Sequence, residues 1–72
     1  MRKIATRKAK KGKRSVTLDV FDCENILTYA NPENNYYKIV RVNNFQEALC
    51  LFYEWVLNMN LIKIDTKLFA KN

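Results

Sequence analysis

From Ser15 to Phe21 apolar and polar side chains alternate, with Val16, Leu18 and Val20 set between Thr17 and Asp19. A period of two built on β-branched residues predicts a strand. Asp22 to Asn25 is polar and predicts a turn, and Ile26 to Tyr29 predicts a short second strand. Asn31-Pro32-Glu33-Asn34-Asn35 is the plainest loop, because proline fixes φ and asparagine accepts turn geometry. Tyr36 to Val42 reads as the strongest strand of the chain. The period then changes. Phe45, Ala48, Leu49, Phe52, Val56 and Met59 follow i, i+3, i+4, i+7 spacing and predict a helix from Phe45 to about Asn58. Asn44 is a suitable N-cap, and Glu47 stands three residues later as in a capping box.

The last segment admits two readings. Leu61 to Asp65 could add a strand. Alternatively Leu61, Ile64 and Leu68 line one side of a second helix, with Lys63, Lys67 and Lys71 spaced four apart beside them. The balance favours helix. The expected fold is therefore α+β: a small three-stranded antiparallel sheet packed against one main C-terminal helix, preceded by a disordered basic N-terminal arm. The arm comprises residues 1–14 and the compact β-β-β-α domain residues 15–72.

Charge is what sets the arm apart. Residues 1–14 contain Arg2, Lys3, Arg7, Lys8, Lys10, Lys11, Lys13 and Arg14 and no acid. Residues 15–72 hold Lys38, Arg41, Lys63, Lys67 and Lys71 against seven acids, so the whole excess of positive charge (+6) comes from the first segment. Like charges at this density oppose compaction, which is why the arm reads as disordered. Its function reads as contact with a polyanion, in which Lys and Arg neutralise phosphates and release counterions. A solubilising tail, a nuclear-import signal at Lys10-Lys11-Gly12-Lys13-Arg14 or an organelle transit peptide would use the same residues.

The chain has 72 residues, enough for one domain with a small core. Several function classes are disfavoured. There is no histidine, so the commonest general base is missing. The single glycine, Gly12, cannot build a phosphate loop. We expect no enzyme activity and no cofactor. Asp19, Asp22 and Glu24 cluster near the first turn, where a solvated turn is a better reading than a metal site. Cys23 and Cys50 read as reduced, half-buried thiols of a cytoplasmic protein. The N-terminus has no apolar signal core, and no apolar run approaches the length of a membrane span.

The remaining candidates lie on the sheet and helix. Phe21, Tyr29, Tyr36 and Tyr37 could stack on bases if they face outward, with Lys38 and Arg41 reaching phosphates. On the helix, Cys50, Leu51, Tyr53, Trp55 and Leu57 extend the apolar surface beyond the stripe that one sheet needs. Either the C-terminal segment folds over it, or a protein neighbour covers Cys50, Tyr53 and Leu57. The stretch Val42 to Ala48, following a strand and opening a long helix, looks like the last strand–helix junction of the Alu-domain subunits of the signal recognition particle. The β-β-β-α layout is also similar to small ribosomal proteins and to arm-binding domains of phage-type integrases. These resemblances imply a sheet that docks on nucleic acid. The expected function is a non-catalytic RNA-binding component of a ribonucleoprotein such as the ribosome. Its partners would be structured RNA and a protein at the helix, with no membrane. The alternatives are a small phage-type DNA-binding accessory protein and a protein-binding inhibitor or assembly factor.

Overall fold

The computed structural model describes residues 2–69. Its strands are β1 (Lys3–Lys11), β2 (Arg14–Phe21), β3 (Asn25–Asn31), β4 (Tyr36–Val42) and β5 (Lys63–Leu68), with one helix, α1 (Phe45–Asn58). All five strands join one antiparallel sheet in the order β4-β3-β2-β1-β5. This overturns the three-stranded sheet with a disordered arm. The basic segment is an interior strand, hydrogen-bonded on both sides, and the C-terminal segment is a strand instead of a helix. Lys71 lies outside the described residues.

The reason for the first correction is local. Lys11 pairs with Arg14, leaving Gly12 and Lys13 as a two-residue hairpin loop. Gly12 has φ +62, and no other residue of that loop has a positive φ. A two-residue loop of this form, with glycine first, is the type II′ turn whose twist suits antiparallel strands. Once β1 is paired, Ala9 is fully buried beside Val16, and the charges that repel in an isolated arm divide between the two faces of a strand. A bulge at Ile4 shifts the register between Lys3 and Ala5, so that Lys3 stands opposite Phe21.

The helix covers one face of β2, β3 and β4. Val16, Leu18, Leu27, Tyr29 and Val42 meet Ala48, Phe52 and Val56 in the core. Asn44 caps the helix: its Oδ1 accepts the Glu47 N–H at 2.9 Å. At the other end Asn60 is left-handed (φ 59), the Asn60 N–H donates to Leu57 O and the Leu61 N–H to Val56 O. That is a Schellman stop, closed by the core pair Leu61 and Val56. Asn25 is buried, but its Nδ2 donates to Val42 O at 3.0 Å and so ties β3 to the strand–helix junction. Tyr36 to Val42 is an edge strand, with Tyr37 57% and Ile39 67% exposed.

Candidate nucleic-acid interface

The alternation of each strand and the register of each pair fix what the face away from the helix carries. One row across the sheet reads Arg41, Ile26, Asp19, Thr6, Lys67. The next reads Ile39, Thr28, Thr17, Lys8, Asp65, and the third Tyr37, Ala30, Ser15, Lys10, Lys63. The β1–β5 side of this open face carries Lys8, Lys10, Lys63 and Lys67 around Asp65, the middle carries the hydroxyls of Thr6, Ser15, Thr17 and Thr28 with Asp19, and the β4 side carries Ile39, the exposed Tyr37 and Arg41. Beyond the first row lie Lys3, Phe21 and Phe69. Lys3 Nζ sits 3.3 Å from Asp19 and lies 5.9 Å and 5.6 Å from the two ring centroids. Lys67 lies 5.2 Å from the Phe69 ring.

Two of these cations are partly neutralised. Asp19 takes Lys3 and also accepts the Thr6 hydroxyl at 2.8 Å, and Arg41 approaches Glu24 at 3.9 Å. Lys8, Lys10, Lys63 and Lys67 have no acidic partner at ion-pair distance among the described residues. Neighbouring strands stand about 4.8 Å apart and alternate residues of a strand about 6.6 Å apart, so these four ammonium groups share one patch. Their mutual repulsion is relieved by any polyanion laid across them.

The sheet separates the basic residues that the sequence grouped together. Lys3, Lys8, Lys10 and Arg41 belong to the open face. Arg7 and Lys11 belong to the helix side, where Arg7 Nη1 donates to Tyr53 Oη at 2.6 Å. Lys13 lies in the hairpin loop and Arg14 stands opposite Lys11. Arg2 precedes β1, and its backbone N–H donates to Asp22 Oδ1 at 3.2 Å. That hydrogen bond holds the Asp22 carboxyl below the usual aspartate range. Lys38 is on the helix side, 5.2 Å from the Trp55 ring centroid. Of the four aromatics, Phe21 and Tyr37 are on the open face, while Tyr29 and Tyr36 pack together on the helix side at 5.8 Å.

Lys63, Lys67 and Phe69 were missed as site residues. The signal was present in the even-numbered apolar positions Ile62, Ile64 and Leu68, a period of two that a helical reading obscured. On the helix, Cys50 is exposed, Leu57 is 78% exposed and Tyr53 is 38% exposed. β5 does not fold over them. Cys23 is exposed too, so neither thiol is half-buried. Asp19, Asp22 and Glu24 do not converge, and no cluster of three metal-ligating side chains exists among the described residues. No enclosed pocket forms, and no helix is long and apolar enough to cross a membrane, among the described residues. Comparison with known proteins finds no match among family models, curated proteins or solved structures.

Proposed function

We propose that the chain binds RNA non-catalytically through the open face of its sheet, as a component of a ribonucleoprotein. The observation that carries this reading is the patch of Lys8, Lys10, Lys63 and Lys67 beside Thr6, Thr17 and Thr28, with Tyr37 and Phe69 exposed on the same face. Ammonium groups take phosphates, hydroxyls donate to phosphate oxygens and exchange hydrogen bonds with ribose hydroxyls, and exposed rings stack on unpaired bases. The geometry favours RNA over duplex DNA. A reader of the DNA major groove presents a helix or a narrow ribbon carrying Arg, Asn or Gln. Here the helix lies behind the sheet, and its polar side chains include Glu47 and Glu54 and no cation. The uncovered Cys50, Tyr53 and Leu57 support a protein neighbour on the opposite side of the molecule.

The test is a binding titration of structured RNA and duplex DNA across a salt series. It compares the full chain with a K8A/K10A variant and a K11A/R14A variant. Each lost phosphate contact should flatten the salt slope by about 0.7 in log K per log salt on single strands. The reading predicts preference for RNA and a larger loss for K8A/K10A. Equal losses for the two variants would indicate an unoriented polycation, and preference for duplex DNA would favour the DNA accessory role.

A further inference from the structure

β5 is an edge strand: among the described residues its neighbour is β1 alone. It lies beyond the helix and all its residues are exposed. Natural edges discourage pairing by being short, twisted, proline-bearing or charged, lysine above all. On β5 the two lysines flank an acid, Asp65, so its charges form a self-complementary pattern. The Phe69 N–H donates to Ile4 O, so the odd-numbered residues direct their backbone groups at β1. Ile64, Thr66 and Leu68 therefore direct theirs outward.

We propose that β5 pairs with β5 of a second copy of this chain, antiparallel about a two-fold axis at Thr66. In that register Asp65 stands opposite the other copy's Lys67, and Lys67 opposite its Asp65. Ile64 meets Leu68 in the same reciprocal way on the helix side. Lys63 meets Phe69, a ring that already attracts Lys3 and Lys67. The outward-facing pairs, Thr66 with Thr66 and Ile64 with Leu68, each exchange both N–H···O=C bonds. The pairing removes from water Leu68, which is 76% exposed, and Ile64, which is 41% exposed.

Other registers are poorer. Centred on Asp65, Lys63 stands opposite Lys67 in both halves, and like charges directly opposed are destabilising. Centred on Ile64, the overlap runs into the loop before β5, where Leu61 is turned into the core. The opposite edge, β4, contains Lys38 and Arg41 and no acid, so no register there forms an ion pair. The dimer sheet would be continuous and would join the two cationic patches on one face. It requires no nucleic acid and stands whether or not the chain binds RNA.

The experiment is sedimentation equilibrium of the full chain without nucleic acid, over a concentration series, with circular dichroism to confirm folding. A concentration-dependent dimer is expected. K67E should weaken it about tenfold by setting Asp65 against a second acid. The swap D65K/K67D, which restores opposite charges across the axis, should recover it. T66P removes an outward N–H that the monomer does not use, and should leave a folded monomer. In a C23S/C50S background, T66C should oxidise to a dimer, since hydrogen-bonded cross-strand Cα atoms lie about 5.5 Å apart. K63C should not, because its two copies would be separated by about 20 Å. A chain that remains monomeric at the highest attainable concentration overturns the proposal. So does a dimer indifferent to K67E and T66P, which would use another surface.

Discussion

Strands β2, β3 and β4 lie under the helix, and their inward residues Val16, Leu18, Leu27, Tyr29 and Val42 are at most 8% exposed. The other side of the sheet, β1 and β5, adds Ala9 alone to that core and carries most of the lysines. The covered side is held by burial. The charged side is held by backbone pairing, by a tight turn and by register. A cationic surface built on flexible side chains is thus placed on a rigid backbone without any lysine entering the core. The cost is an uncovered margin, with Leu68 and Ile62 each more than three-quarters exposed.

The comparison can be broken first at its stronger side. Phe52 is fully buried. Phe52→Ala should cost about 3–5 kcal/mol, enough to unfold a domain of this size, and a urea titration followed by circular dichroism measures it. The second effect falls on the charged side. Gly12 has φ +62, and a Cβ there would touch nothing within 4 Å, so the penalty of Gly12→Ala is one of backbone conformation. It should cost about 1–2 kcal/mol. Hydrogen exchange should show protection falling in β1 and β5 more than in β2 and β3. Asn44→Ala removes the cap that starts the helical cover and should cost about 1 kcal/mol in the same urea assay.

The smallest effect concerns the tie between the two sides. The Asp22 carboxyl follows β2 and accepts the N–H of Arg2, which precedes β1. Its folded pKa is lowered, so its contribution is complete above the unfolded pKa and disappears as pH falls through the folded value. Asp22→Asn should flatten the acid limb of stability below about pH 4, a change read from urea midpoints at successive pH values.

What the sequence discloses follows the same division. The helix begins and ends where Asn44 and the i, i+3, i+4 pattern place it, because the apolar period and the cap agree. The segments that became β2, β3 and β4 are visible as strands, β2 through apolar positions at every second residue and β4 through its run of aromatic and β-branched residues. β1 was hidden because charge density outweighed a weaker signal, small Ala5 and Ala9 four residues apart on one face before a Gly-Lys loop. Only pairing with β2 makes Ala9 a core residue and half-buries Ala5. β5 was hidden because Leu61, Ile64 and Leu68 satisfy a helical spacing as well as a strand does, and only the free side of β1 decides between them. The candidate interface was therefore legible as a list of cations and not as a surface. Which lysines act together depends on the bulge at Ile4 and on registers that no local pattern encodes.

The central claim is that one face of the sheet receives the nucleic acid. Lysine footprinting tests it most directly: the chain is acetylated with and without structured RNA, and each site is quantified by mass spectrometry. The account predicts protection of Lys8, Lys10, Lys63 and Lys67, while Lys38, on the helix side over Trp55, stays as reactive as before. Equal protection of Lys38 and the open-face lysines, or no protection of Lys8 and Lys10, would contradict it.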